Sequence, residues 1–207
     1  MNTSVNQLLR KYFIMGSQNC NCDPAKILEE AALIGITAFQ FREKGEHSLS
    51  GNEKIKLGLK LRDICRKHHI PFFINDDVEL AETLDVDGIH VGQEDQPVEQ
   101  LRRDFPDKII GLSVSNTNEV EESPIHLVDY VGAGPIFPTS TKEDAKEAVG
   151  LEWIQTLRSR YPKLPIVGIG GINTENAASV LEAGADGVSV ISAITRAQNI
   201  SDSIIKL

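Results

Sequence analysis

The segment Gln40-Phe41-Arg42-Glu43-Lys44 alternates polar and aromatic side chains. In a strand, period two puts Gln40, Arg42 and Lys44 on one face and Phe39, Phe41 and Glu43 on the other. If the aromatic face packs under helices, the polar face turns inward, where an unpaired charge is costly. An anionic ligand would relieve that cost, and so would an ion pair with an Asp or Glu of a neighbouring strand. Asn75-Asp76-Asp77 and Gly92-Gln93-Glu94-Asp95 end two further apolar runs in carboxylates. Each acid has a structural use as a helix cap, Asp76 or Asp77 for a helix starting at Val78 and Asp95 for one starting near Pro97. Brought together on one rim beside Arg42 and Lys44, Asp76 and Asp95 instead suit Mg²⁺, which takes one or two protein carboxylates and completes its shell with water and substrate phosphate. Without a cation the same carboxylates would repel a bound phosphate by roughly 4 kcal/mol per charge pair at about 4 Å and an effective dielectric near 20.

Three other segments carry candidate ligands. Ser113 has no adjacent His-Asp pattern and no GxSxG elbow, so hydrogen bonding is its expected use rather than nucleophilic attack. His90, alone on its apolar run, reads as a hydrogen-bonded structural residue rather than a zinc ligand. Thr139, Ser140, Thr141 and Lys142 follow Gly134-Pro135-Ile136-Phe137-Pro138, and hydroxyls beside a cation suit an anion under a substrate lid, although a mobile surface loop reads the same way. Gly168-Ile169-Gly170-Gly171 and Gly187-Val188-Ser189-Val190-Ile191-Ser192 place glycines where backbone N–H groups can approach a phosphate.

Eight short apolar or β-branched runs, at residues 12–15, 38–42, 71–75, 88–91, 109–114, 128–131, 166–169 and 187–191, must position these groups. Amphipathic stretches lie between them. Asp23 caps a helix with Pro24 at its first position and Gly35 as its stop, and Asn173 and Gly184 repeat that grammar. Eight βα units at roughly 26 residues each fill the chain, which predicts a (β/α)8 TIM barrel, an α/β fold, near the lower end of its size range. A doubly wound sheet needs a switch point and usually fewer strands. In a barrel, function sits at the C-terminal strand ends, and the loops after strands seven and eight form the recurrent phosphate site. No linker, low-complexity tract or long repeat divides residues 1–207, so one catalytic domain is expected. Residues 194–207 are short for an eighth helix, which leaves that end to fray or to be completed by a partner, a homo-oligomer among the outcomes.

The 207 residues carry 21 Lys+Arg against 30 Asp+Glu, a formal charge of −9, with 41% hydrophobic and 25% charged residues. That composition excludes disorder as the main state, and the acidic balance argues against nucleic acid or an anionic membrane as partner. Cys20, Cys22 and Cys65 form no CxxC pair and no zinc spacing, so they read as reduced thiols of a cytoplasmic protein. The N-terminus has no basic and apolar export signal, and no run is long enough to span a membrane.

Taken in order, Gln40-Phe41-Arg42-Glu43-Lys44, Asn75-Asp76-Asp77, the segment from Gly88 to Asp95, Gly134-Pro135-Ile136-Phe137-Pro138-Thr139-Ser140-Thr141-Lys142, Val167-Gly168-Ile169-Gly170-Gly171-Ile172 and Gly187-Val188-Ser189-Val190-Ile191-Ser192 resemble the thiamine-phosphate synthase family over nearly the whole chain. The resemblance implies a barrel transferase that joins 4-amino-2-methyl-5-hydroxymethylpyrimidine diphosphate to 4-methyl-5-(2-hydroxyethyl)thiazole phosphate, releasing diphosphate by a dissociative route. It implies that Gln40, Arg42, Lys44, Asn75, Ser113 and Lys142 hold the pyrimidine diphosphate and that Asp76 and Asp95 bind Mg²⁺. It also implies that Thr139, Ser140, Thr141, Gly171, Ile191 and Ser192 hold the thiazole phosphate. Family members often carry an Ala-His-Thr type sequence after the fifth-strand Ser, where this chain has Val114-Ser115-Asn116. A thiazole phosphate tautomerase and a non-catalytic phosphometabolite-binding regulator are the rival readings.

Overall fold

The computed structural model describes residues 4–139, 141 and 147–207. Strands β1 (Lys11–Met15), β2 (Ala38–Phe41), β3 (Phe72–Asn75), β4 (Gly88–Val91), β5 (Ile109–Val114), β6 (Tyr130–Ala133), β7 (Ile166–Ile169) and β8 (Gly187–Val190) are parallel and close into a barrel in sequential order, β8 pairing with β1. The sheet therefore has no open edge and no switch point, and the expected (β/α)8 architecture holds. Around it run helices α1 (Val5–Leu8), α2 (Pro24–Ile34), α3 (Gly51–Lys67), α4 (Val98–Asp104), α5 (Thr117–Glu122), α6 (Leu151–Arg160), α7 (Ala177–Glu182), α8 (Ser192–Thr195) and α9 (Ile200–Lys206). Between β3 and β4 the chain makes only a 3₁₀ turn, Val78–Leu80, and looser turns. Among the described residues no helix is long and apolar enough to cross a membrane.

Period two sorts the strands into two cores. Phe39, Phe41, Phe72, Ile89 and their like face outward under the helices, whereas Tyr12, Ala38, Phe73, Tyr130 and Val167 fill the barrel. Gly111 faces the Tyr130 ring so closely that a Cβ there would lie 2.2 Å from its Cζ, so the absent side chain is what admits the phenol.

A fourfold repeat, not visible in the composition, ties the base of the barrel. A residue at the start of each odd strand, the first in β1, β3 and β7 and the second in β5, donates its N–H to a side chain just before the following even strand. Lys11 donates to Thr37 Oγ1 at 2.8 Å, and Phe72, Ile110 and Ile166 donate to Asp87, Asp129 and Asp186 Oδ2, each at 2.8 Å. The accepting residues return their own N–H to the carbonyls of the same partners. In three quarters a helix arginine completes the clamp: Arg62, Arg102 and Arg158 each pair with that Asp and donate to the carbonyl two residues before it.

Some boundaries differ from the sequence reading. Asp23, Pro24 and Gly35 bound α2 as expected, with Asp23 accepting from Ala25 N and Gly35 left-handed at φ 118°. β6 lies two residues later than residues 128–131, because Pro124 opens a 3₁₀ turn, Ile125–Leu127, that ends with Val128 N–H on Ile125 O. Asn173 caps no helix: its side chain accepts from Glu175 N within a turn, and α7 starts only at Ala177. The last segment is packed rather than frayed: α9 lies against α2, Ile204 and Leu207 are buried, and Lys11 Nζ donates to Ile204 O.

Candidate active site

The C-terminal ends of the strands enclose a cavity of about 480 Å³. Its lining includes Arg42, Lys44, Asn75, Asp76, Asp95 and Ser113 on one side, and Thr139, Thr141, Gly171, Ile191 and Ser192 on the other. Candidate residues from seven strand ends, β2 to β8, thus meet in one space. Ser140 and Lys142 lie outside the described residues. Gln40 is the exception, since it is 1% exposed and sits below the lining, with Nε2 donating to Tyr12 Oη at 2.9 Å.

The cationic side is held by the outward residue between its two cations. Glu43 accepts from the backbone N–H of Ser17 and Leu49 at 2.8 and 2.6 Å, which fixes the β2 exit so that Arg42 and Lys44 turn inward. Gln18 Nε2 braces the same turn through the carbonyls of Arg42 and Lys44. Lys44 Nζ lies 2.6 Å from Asp76 Oδ2, so the ion pair weighed for this strand exists, and its acid comes from the end of β3.

Asp77 stands at the N-cap position of the 3₁₀ turn Val78–Leu80, but its side chain makes no cap bond, and Pro97 rather than Asp95 holds the N-cap position of α4. Asp77 pairs with Lys54 at 2.7 Å, Asp76 sits at φ 60° with its carboxylate toward the cavity, and Asp95 Oδ2 accepts Gly92 N–H at 2.7 Å. A left-handed conformation is one that Asp tolerates better than most residues. Asp76 and Asp95 face each other within hydrogen-bonding reach. Burial first, and the facing Asp76 second, push the Asp95 carboxyl up from its ordinary value, against the Gly92 N–H and Lys44, which pull it down. Two facing carboxylates without a third acid or imidazole make an all-oxygen donor pair with open positions. That pattern fits Mg²⁺ shared with water and substrate, and among the described residues no larger His, Cys, Asp or Glu group could hold a metal.

The opposite side is built from backbone. Ile136 and Phe137 donate to the carbonyls of Ile169 and Gly170 at 2.8 and 3.0 Å, seating the loop after β6 on the loop after β7. Gly170 and Gly171 have φ of 95° and 65°, and a Cβ on Gly171 would lie 2.7 Å from Phe137 Cβ, so the two loops can meet only over glycine. Asn176 Nδ2 fixes the turn from below through Gly171 O.

The cavity also exposes residues that the sequence reading passed over as ligands. His90, Gln93, Ser115 and Ser189 line it. Ser189 Oγ and Gln40 Oε1 are buried and have no hydrogen-bond partner among the described residues. His90 Nε2 lies 2.9 Å from Ser113 Oγ, a Ser–His pair formed between neighbouring strands and not by any local motif. Inward parity on β8, the same alternation that singled out Gln40, marks Ser189. The departure at Val114-Ser115-Asn116 has a local use, since Asn116 caps α5 through Glu119 N and Ser115 Oγ donates to Gly134 O.

A closed parallel barrel whose C-terminal rim gathers cations, facing carboxylates and a glycine-built wall around one cavity is a barrel enzyme for small molecules. The sequence model of the family described as "Thiamine monophosphate synthase" matches residues 11–194, and the chain belongs to that family. It is 62% identical over 200 residues to "Thiamine-phosphate synthase" of Oceanobacillus iheyensis, covering 97% of each chain. To "Thiamine-phosphate synthase" of Anoxybacillus flavithermus it is 52% identical over 201 residues, covering 97% of this chain and 93% of the other. Among solved structures, "Thiamine phosphate pyrophosphorylase" from Pyrococcus furiosus superposes with a TM-score of 0.87 at 35% identity, covering 99% of this chain and 96% of that one.

Proposed function

We propose that this transferase of thiamine biosynthesis condenses the hydroxymethylpyrimidine diphosphate with the thiazole phosphate, giving thiamine phosphate and diphosphate. One juxtaposition carries the reading: Arg42, Lys44 and the facing Asp76 and Asp95 share a cavity with the Gly170–Gly171 wall. A cationic, metal-suited half opposite a backbone-built half is what two phosphorylated substrates with unequal charge require.

Arg42, Lys44 and, from the sequence alone, Lys142 neutralise the departing diphosphate. Asn75 orients it, and Ser113 and the buried Gln40 serve the pyrimidine. Asp76 and Asp95 would hold Mg²⁺, which when bound supplies charge stabilisation to the leaving group. As diphosphate leaves, the C–O bond breaks and the pyrimidinylmethyl cation draws on the ring amino group. Thr139, Thr141, Gly171, Ile191, Ser192 and, from the sequence alone, Ser140 hold the thiazole phosphate, whose ring nitrogen then attacks the cation. No step asks a side chain to act as nucleophile. The enzyme works in the cytoplasm on small phosphorylated molecules.

Incubation with both substrates and Mg²⁺ tests this reading. Thiamine phosphate and diphosphate in equal amounts support it. Conversion of the thiazole phosphate alone would make the chain a tautomerase, and binding of either compound without turnover would make it a regulator.

A further inference from the structure

We infer that His90 is a positioning residue: held in one tautomer by Tyr130, it makes Ser113 a hydrogen-bond donor to the substrate instead of a nucleophile. The inference rests on the reading above in one respect, that Ser113 faces the pyrimidine.

A Ser–His contact of 2.9 Å invites comparison with nucleophilic sites. There a carboxylate accepts the Nδ1 proton, which leaves Nε2 bare to take the proton of the serine. In this barrel the partner of Nδ1 is a phenol, Tyr130 Oη, at 2.9 Å. Tyr130 Oη in turn meets Tyr12 Oη at 3.0 Å, and Gln40 Nε2 donates to Tyr12 Oη at 2.9 Å.

The direction of this chain follows from counting hydrogens. A phenol has one to give. Tyr12 accepts from Gln40 and gives its hydrogen to Tyr130. Tyr130 gives its own to His90 Nδ1. His90 therefore carries its proton on Nε2 and donates it to Ser113 Oγ. The hydroxyl hydrogen of Ser113 is left to point into the cavity that Ser113 lines. Both phenols are buried, and burial pushes their titration upward, so both remain donors. The opposite order would either leave the buried Tyr12 hydroxyl hydrogen without an acceptor or require the Gln40 amide reversed, with both amide hydrogens turned away from Tyr12 Oη. In the observed orientation Oε1 is the atom left without a partner. An unpaired carbonyl oxygen is tolerated in protein interiors more often than an unpaired N–H, which favours the observed orientation.

This order explains why a Ser–His pair can sit in a site whose chemistry needs no nucleophile. It also gives Gln40 a use below the cavity: it sets the polarity of the chain whose far end is Ser113.

Nitrogen-15 spectra of ring-labelled, ligand-free protein, with His90 assigned through His90→Gln, read the order directly. The expected signature is a pyrrole-like Nε2 and a pyridine-like Nδ1. Tyr130→Phe, which removes the donor while keeping the ring, is expected to give mixed tautomers and to raise KM for the pyrimidine diphosphate about five- to tenfold, the loss of one neutral hydrogen bond. KM for the thiazole phosphate stays fixed. His90→Gln, whose Nε2 can still donate to Ser113, keeps more of kcat/KM than His90→Leu. A serine-directed fluorophosphonate leaves Ser113 unlabelled. An Nδ1–H tautomer in the wild type, labelling of Ser113, or unchanged pyrimidine KM in both Tyr130→Phe and His90→Leu overturns the proposal. Absence of thiamine phosphate synthesis in the wild type, with the Nε2–H signature present, would instead overturn the reading of the reaction and leave the hydrogen-bond order standing.

Discussion

Asp95→Asn should make the metal-free protein more stable and the enzyme nearly inactive. Asp95 faces Asp76, and burial together with that neighbour raises its pKa. Two unit charges about 4 Å apart at an effective dielectric near 20 repel by about 4 kcal/mol. Lys44, 2.6 Å from Asp76, and solvent around both side chains remove most of that. A residual penalty on the order of 1 kcal/mol is expected for so open a pair. Asparagine keeps an oxygen for the Gly92 N–H and offers an amide hydrogen to Asp76, so no existing bond need be lost. For a chain of 207 residues, this amounts to roughly 2–4 °C in Tm. The sign with pH follows from the raised value. The folded state favours protonated Asp95, so its contribution is complete below the ordinary aspartate value, about 3.9, and is lost as pH rises through the elevated folded value. The advantage of Asp95→Asn is therefore near zero in acid and grows toward neutrality. Thermal unfolding in EDTA across that range measures it, alongside turnover with Mg²⁺. A variant less stable than wild type at neutral pH, or one with wild-type turnover, would refute the reasoning.

The other expectations are as direct. Gly111→Ala drives a methyl into the Tyr130 ring, 2.2 Å from Cζ, and should cost about 1–3 kcal/mol in thermal unfolding while lowering turnover. Arg102→Ala removes donors from Pro106 O, Lys108 O and Leu127 O and strands Asp129, so its urea midpoint should fall by the equivalent of about 2 kcal/mol. Inorganic diphosphate at about 100 times its Kd should stabilise the wild type by about 2.7 kcal/mol in calorimetry when Mg²⁺ is present; Arg42→Ala should lose that gain.

The strands were legible because buried parallel strands need continuous apolar runs, and this chain has one for each. β6 slipped by two residues because Gly132 and Ala133 have little strand propensity of their own; β5 and β7 on either side impose the conformation. The rim acids were legible as a cluster, but spacing alone left capping and metal ligation side by side, because a cap and a metal ligand present the same residue type at the same strand end. Gln40 was legible as inward but not as lying beneath the cavity, since parity gives the face and not the depth. The Ser113–His90 pair was hidden for a different reason. It depends on the register of β4 against β5, with His90 opposite Gly111, which no local spacing encodes. Lys142 and Ser140 remain assignments from the sequence.

The four clamps at the base group the strands in pairs, β1 with β2, β3 with β4, β5 with β6 and β7 with β8. Asp76 and Asp95 follow β3 and β4, while Gly171, Ile191 and Ser192 follow β7 and β8, the pair diametrically across the ring. The facing carboxylates and the glycine-built wall thus rise from opposed braced quarters, while Arg42, Lys44, Ser113, Thr139 and Thr141 come from the two quarters between them. A path around the ring from the carboxylates to the glycine wall therefore crosses two seams between quarters in either direction.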